Sequence, residues 1–126
     1  MIPFGHERIT LIQRMEVIIN GKTDVRYVRH ILNGCSWSAN AIWRNVGTEM
    51  QRASEVVCKI PVGNVSPNTG DYLFLGYMQD LVENPHSLNK AIEKYRKSGV
   101  MRVASVSNRA LQGMPLPHIT ARGDRA

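Results

Sequence analysis

Apolar and polar residues alternate in the first regular segment of the chain, from Arg8 to Ile19. Most apolar side chains of this segment fall on odd positions, namely Ile9, Leu11, Met15, Val17 and Ile19. A period of two is typical of a half-buried β-strand. Asn20-Gly21 follows, and this dipeptide favours the two positive φ angles of a tight hairpin turn. We therefore expect a hairpin with a second strand over Val25–Leu32, with Lys22–Asp24 as part of a polar connection.

Further strands are indicated between later turn signals. Asn33-Gly34 predicts another turn. Beyond it, strands are expected at Cys35–Ser38, Glu55–Ile60, Asp71–Met78 and Val100–Ser107. The pattern of residues 38–52 fits both a strand and a loop. Within and just after it, Gly47–Ala53 favours a loop. Val62–Gly70 is rich in Gly, Asn and Pro, so it is predicted to be a loop.

One amphipathic helix is predicted near residues 87–98. Ser87 is a suitable N-cap residue, and Gly99 fits the position just after the last helical turn. The apolar residues lie at i, i+3, i+4 and i+7, which places them on one face: Leu88, Ala91, Ile92 and Tyr95. The basic opposite face is interpreted as a solvated surface in preference to a phosphate-binding one.

These elements predict an all-β fold. About six or seven short antiparallel strands and one helix favour a small barrel or sandwich, with the helix at an edge or over an open end. Residues 1–110 are expected to form a single β-barrel domain. Residues 111–126 contain Gly113, Pro115, Pro117 and Gly123, so we expect an extended C-terminal tail, part of which docks on the domain or orders on a neighbouring subunit.

Composition and charge narrow the classes of protein. The 126 residues hold a globular share of apolar residues and no apolar run near the roughly 20 residues of a membrane span. No secretory signal is recognisable at the N-terminus. We therefore expect a soluble protein made in the cytosol. The net charge of +6 is spread along the chain, which favours a solvated basic surface over dedicated DNA recognition.

Sequence motifs for catalysis, cofactors or metals are absent. The chain has no glycine-rich phosphate loop and no cluster of histidines and cysteines at metal-ligand spacing. Cys35 and Cys58 are expected to be free and buried, with a disulfide or a nucleophilic Cys35 beside His30 as weaker alternatives. Arg122-Gly123-Asp124 is a three-residue motif that we attribute to chance. No enzyme, no cofactor and no metal site are therefore predicted.

Several segments together resemble a known family. They are, in chain order, Arg8-Ile-Thr-Leu-Ile12, Val28–Trp37, Val56–Pro61, Gly70–Gly76, a helix that begins at Ser87-Leu88 and ends in Tyr95-Arg-Lys-Ser-Gly99, and Val103–Arg109 with a proline and a histidine beyond it. Over residues 8–118 the chain resembles the head–tail connector or minor capsid proteins of tailed bacteriophages of Gram-positive bacteria. The resemblance is to the head-closure, or stopper, proteins of the phage neck.

The resemblance implies a virion protein with several partners. Copies would assemble with each other into a ring, dodecameric by the resemblance. This ring would contact the portal or adaptor protein on the head side and the tail terminator or tail tube on the tail side. Packaged DNA would pass through the ring without sequence recognition, and no membrane would be involved. The protein would close the DNA-filled head and provide the surface to which the tail attaches.

Basic residues are the candidates for the ring interface or its DNA-facing lumen. They are Arg44, Arg52, Lys90, Lys94, Lys97, Arg122 and Arg125. Phosphate contacts by such residues would tolerate any DNA sequence. Two alternatives stay open: a tail terminator, tail completion or minor capsid protein of the same virion, and, from another class, an OB-like nucleic-acid-binding barrel whose tryptophans and tyrosines stack on bases.

Overall fold

A computed structural model of the protein describes residues 7–47, 49–108 and 118–125, with the backbone alone for residues 40–46, 49–54, 108 and 118. The elements are β1 (Glu7–Ile19), β2 (Lys22–Val46), β3 (Glu49–Pro61), β4 (Tyr72–Leu75), α1 (Pro85–Tyr95), β5 (Val100–Asn108) and β6 (His118–Arg125). The strands close into an antiparallel barrel in the order β1-β2-β3-β6-β5-β4. The predicted small all-β barrel with one short helix is confirmed.

Side chains from every strand fill the interior of the barrel. Ile9 and Leu11 of β1 point inward, as their odd positions predicted, and so do Val56, Cys58 and Ile60 of β3. The other buried members of this inner core are Leu32, Cys35, Leu73, Met101, Val103, Ile119 and Ala121. A closed sheet of this size encloses just enough space for its own side chains. The barrel is therefore a packed core and not a pore.

The helix packs on the outer wall of the barrel and not at an open end. Ile12, Phe74 and Val100 point outward from β1, β4 and β5 and are covered by the apolar face of α1. This outer core also contains Met78, Val82, Leu88, Ala91 and Ile92. The ring of Phe74 meets that of Tyr95 edge-on, with centroids 6.1 Å apart. The predicted helical face is thus confirmed, and its partner is the sheet.

The helix begins earlier in the chain than predicted. Asn84 is the N-cap, and its side chain accepts a hydrogen bond from the backbone N–H of Ser87 at 2.9 Å. The Ser87 hydroxyl accepts in return from the backbone N–H of Asn84 at 3.0 Å, which completes a capping box. The assignment of Ser87 as N-cap is therefore wrong, since Ser87 is the third residue of the helix. Pro85 is the first, and at that position the backbone N–H that proline lacks would have no partner within the helix. The helix also ends earlier, at Tyr95.

The second predicted turn is a β-bulge. The Asn20-Gly21 turn is confirmed, with φ angles of 52° and 76°, but Lys22–Asp24 already belong to β2. At Asn33-Gly34 the chain does not reverse, and β2 continues through this dipeptide as one strand of 25 residues. The register between β1 and β2 shifts there, and Gly34 takes a φ of 73°. A glycine with positive φ accommodates the extra residue of such a bulge.

The expected loop at Gly47–Ala53 is wrong over most of its length. β3 already begins at Glu49 and pairs with the end of β2 from there onward. The predicted loop at Val62–Gly70 is confirmed, since it lies outside the named strands and holds one isolated bridge. Asp71 closes this loop, because its carboxylate accepts a hydrogen bond from the backbone N–H of Asn68 at 2.8 Å.

The last strand corrects the predicted C-terminal tail. Residues 118–125 form β6, which pairs with β3 on one side and with β5 on the other. The expectation of an extended tail over residues 111–126 is therefore wrong for this stretch, and β6 belongs to the barrel domain. Residues 111–117 lie outside the described part of the chain. Of the Arg122-Gly123-Asp124 motif, Gly123 is buried inside the barrel wall.

Candidate interaction surfaces

Two hairpins extend beyond the barrel from the two ends of β2. β4 pairs with β1 only over Ile9–Ile12, so the hairpin of residues 13–28 projects past it as a two-stranded ribbon. We call this ribbon the first arm. β6 pairs with β3 only from Glu55 onward, so residues 41–47 and 49–54 form a second ribbon at the other end of β2, the second arm. One strand thus carries an arm at each end of the barrel.

The first arm exposes apolar side chains on both faces. The face that continues the barrel interior carries Met15, Val17 and Ile19, and Met15 and Ile19 are 46% and 42% exposed. The opposite face carries Ile18, which is 78% exposed. Large apolar side chains grouped at the end of a ribbon are typical of a contact surface. Sequence reasoning missed this surface, although Ile18 on the polar face of the strand was a signal for it.

One edge of the first arm is open. The carbonyl of Arg8 accepts a hydrogen bond from the N–H of Gly76, and the N–H of Arg14 donates to the Asp71 carboxylate at 3.5 Å. The backbone groups of even-numbered β1 residues therefore point toward the β4 side. Glu16 and Ile18 come next, and no described residue pairs with them there. Exposed strand edges of this kind are templates for a further strand.

The second arm holds the candidates Arg44 and Arg52. Both lie on paired strands, and Arg52 is opposite Trp43 in the register. The side chains of Arg44 and Arg52 lie outside the described part of the structure. Their assignment to an interface or a lumen therefore stays a prediction.

The solvent side of α1 carries Lys90 and Lys94, and Lys97 lies exposed two residues after the end of the helix. Lys94 is not available as a free cation, because its Nζ contacts the Asp80 carboxylate at 3.1 Å. The Tyr95 hydroxyl donates to the same carboxylate at 3.0 Å. These two contacts tie the connection between β4 and α1 to the helix. Lys90 and Lys97 are exposed and make no described ion pair, so these two could reach a phosphate or a neighbouring subunit.

The Lys94–Asp80 contact predicts a pH dependence of stability. The hydrogen bond from Lys94 lowers the pKa of Asp80 below its ordinary value of 3.8, and the pKa of Lys94 is raised by the same contact. A depressed carboxylate pKa stabilises the fold above pH 4, and this stabilisation is lost as the pH falls through the folded-state pKa. We expect Asp80→Asn to lower the Tm at pH 7 by a small amount, because the pair is largely solvated.

The Tm difference between wild type and Asp80→Asn should shrink as the pH is lowered from 7 to about 3. Thermal unfolding followed by circular dichroism over this range measures it. Glu93→Gln is the matched control, since Glu93 is an exposed carboxylate next to Lys94 on α1 and has no described ion pair. A constant difference between wild type and Asp80→Asn at every pH would contradict the assignment.

Arg122 and Arg125 lie on β6 and not on a tail. Arg122 Nη1 contacts Glu55 Oε1 at 3.1 Å across the β3–β6 pair, and Arg125 is exposed at the end of the strand. The described candidates thus lie on or just after α1 and on β6, instead of in one cluster. Arg122 is committed to an ion pair, which leaves Arg125, Lys90 and Lys97 as the available basic candidates in the part of the chain described with side chains.

The two cysteines are free and buried, as predicted. Their thiols interact with each other inside the barrel, and Cys35 Sγ also contacts the carbonyl of Asn33 at 3.9 Å. The hydrogen bond with Cys35, together with burial, raises the pKa of the Cys58 thiol far above its usual range. The Cys58 thiol is therefore protonated, and a protonated thiol without access to solvent is a poor nucleophile. The same hydrogen bond lowers the pKa of the Cys35 thiol, which is itself fully buried. The described contacts of Cys35 do not include His30.

Most aromatic side chains contribute to packing. Trp37 packs against the inner core, and Tyr27, Tyr72 and Tyr95 pack against the outer core. Tyr77 is 47% exposed, and the Arg29 guanidinium lies 5.9 Å from its ring centroid. The side chain of Trp43 lies outside the described residues. Base stacking by an OB-like platform needs several exposed aromatic rings, and the described residues offer Tyr77 alone.

Neither a metal site nor a membrane-spanning helix is found among the described residues. Within the described residues, no three metal-ligating side chains come together. None of the helices described is long and apolar enough to cross a membrane.

Comparison with protein families matches residues 4–124 to DUF6751, described as a family of unknown function. No curated protein matches the sequence.

Proposed function

We propose that this chain, which belongs to the DUF6751 family, is a structural protein of the neck of a tailed phage. In this proposal, identical copies form a ring that closes the DNA-filled head and provides the surface for tail attachment. The observation that carries the proposal is the closed, filled barrel with an arm at each end of β2. A rigid barrel with protruding hairpins is suited to contacting neighbours on more than one side.

The packed interior determines where DNA would pass. Because side chains fill the barrel, a DNA channel would have to run between several barrels and not through one. A ring with head-to-tail contacts that close by rotation provides such a channel. Lys90, Lys97 and Arg125 are exposed cations that could line it and contact phosphates without reading the sequence.

The two arms suggest how such a ring would be placed in a neck. We propose the portal or adaptor protein as the partner on the head side and the tail terminator or tail tube on the tail side. A subunit between two different rings needs contact surfaces at two ends, and the arms at the two ends of β2 offer them. The virion is then the site of action.

Electron microscopy of phage particles tests this proposal. A phage from which this gene has been deleted is examined, with the wild-type gene supplied in trans as the control. We expect filled or leaking heads beside separate, complete tails. Missing tails or tails of uncontrolled length would favour the tail terminator or completion alternative. Normal joined particles would overturn the neck proposal.

A second measurement addresses the OB-like alternative. The isolated protein is titrated with single- and double-stranded DNA at several salt concentrations. A neck protein should bind DNA weakly on its own, since its cations are dispersed over the surface. Tight binding with a steep salt dependence would favour the nucleic-acid-binding barrel instead.

A further inference from the structure

The open edge of the first arm has a pattern that matches a second copy of itself. This edge covers Met15–Ile19, because the loop after β3 reaches β1 only at Gln13 and Arg14. Its central residue is Val17, with Met15 and Ile19 two positions to either side on the same face. We propose that two copies of the chain pair through these edges, as antiparallel strands related by a two-fold axis at Val17. This inference does not rest on the proposed role in a phage.

The backbone groups have the direction that this pairing needs. Glu16 and Ile18 point their N–H and C=O groups away from β2, as the bond from the Arg14 N–H to Asp71 shows for the even positions. In the proposed contact, Glu16 of one copy faces Ile18 of the other, and each of these pairs exchanges two backbone hydrogen bonds. The four bonds satisfy groups that no described residue of the same chain satisfies.

The side chains match as well. On the face that continues the barrel interior, Met15 lies opposite Ile19 of the other copy, and the two Val17 side chains lie opposite each other. Three apolar positions per copy, two of them more than 40% exposed, are thus covered together. On the other face, the exposed Ile18 lies beside the Glu16 side chain of the other copy. No like charges face each other in this register.

The small size of the contact sets its strength. Two five-residue edges bury less than the roughly 1,200 Å² of a standard stable interface. We therefore expect a dimer that dissociates on dilution, with a Kd on the order of micromolar or weaker. Sedimentation velocity from about 1 μM to about 1 mM protein covers this range. A single monomeric species at every concentration would overturn the proposal.

Paired variants at Val17 test the two-fold axis itself. Val17→Lys and Val17→Glu each place two like charges opposite each other, so each variant alone should be monomeric. An equimolar mixture should restore the dimer, because the introduced lysine of one copy then faces the introduced glutamate of the other. A mixture that stays monomeric while the wild type dimerises would place the interface elsewhere.

Thr23→Lys is the matched control. Thr23 is exposed on β2 of the same arm, opposite Ile18 in the hairpin and outside the proposed contact. The Thr23→Lys variant adds the same charge as Val17→Lys and should leave the dimer intact. Thermal unfolding identifies any variant that loses its fold. Glu16→Pro then serves as a second test, since it removes the N–H that points to the open edge and should also abolish dimerisation.

Discussion

Removal of residues 118–126 is expected to abolish folding of the whole chain. This truncation deletes β6, which closes the barrel between β3 and β5. It would expose two strand edges and open the inner core at Ile119 and Ala121, which are 5% and 0% exposed. Domains are stable by only about 5–15 kcal/mol, and one strand of six contributes a large part of that. Circular dichroism and denaturant unfolding should show no cooperative transition.

A peptide supplied in trans provides the control for this truncation. A synthetic peptide of residues 118–126 can add as a strand between β3 and β5, since strand addition uses main-chain hydrogen bonds. We expect it to restore part of the native signal, whereas a peptide of scrambled sequence should not. If the truncated chain retained a cooperative transition without any peptide, residues 118–125 would not be part of the barrel wall.

Local patterns predicted the inner face of the barrel well. The alternation in β1 assigned Ile9 and Leu11 to the core, because a strand buried on one face reveals its period directly. Met15 and Ile19 belong to the same alternating face, but they are 46% and 42% exposed because they lie on the first arm. The helical face was equally clear, since four apolar residues at helical spacing form one continuous stripe along a helix. Helix capping was less clear, since both Asn84 and Ser87 are suitable caps and only their mutual hydrogen bonds decide between them.

Turn signals were the main source of error. Asn20-Gly21 and Asn33-Gly34 are the same dipeptide, yet the first reverses the chain and the second forms a bulge inside β2. Both uses need a glycine with positive φ, and the partner strands decide which one is formed. In the same way, the glycines and prolines of residues 113–123 indicated an irregular tail. Gly123 instead has a place in the sheet that depends on β5.

The candidate surfaces could be predicted only in part. Basic residues were visible from composition, but their ion pairs with Asp80 and Glu55 depend on distant strands and loops. The arms were not predicted, because their length follows from where β4 and β6 stop pairing with their neighbours. The residue at which two strands stop pairing depends on both strands, so it cannot be deduced from the sequence of either one alone. The open edge at Met15–Ile19 is a property of the barrel as a whole.

Substitution Gly123→Ala should destabilise the protein by about 3 kcal/mol or more, because the new methyl group has no space. A Cβ at this position would overlap the carbonyl oxygen of Arg102 and lie 3.2 Å from the backbone N of Ala104. Both atoms belong to β5 at its bulge, where the register shifts between Val103 and Ser105. Backbone held by a closed sheet cannot move aside as a flexible side chain would.

Gly21→Ala is the matched control for this prediction. It makes the same chemical change in the hairpin turn, where a Cβ would meet no atom within 4 Å and only the φ of 76° is unfavourable. That conformation costs an alanine about 1–2 kcal/mol. Denaturant midpoints of both variants and the wild type, measured with equal m-values, compare the two costs. Equal midpoints for Gly123→Ala and Gly21→Ala would contradict the close approach of β5 and β6, and with it the bulge that closes the barrel.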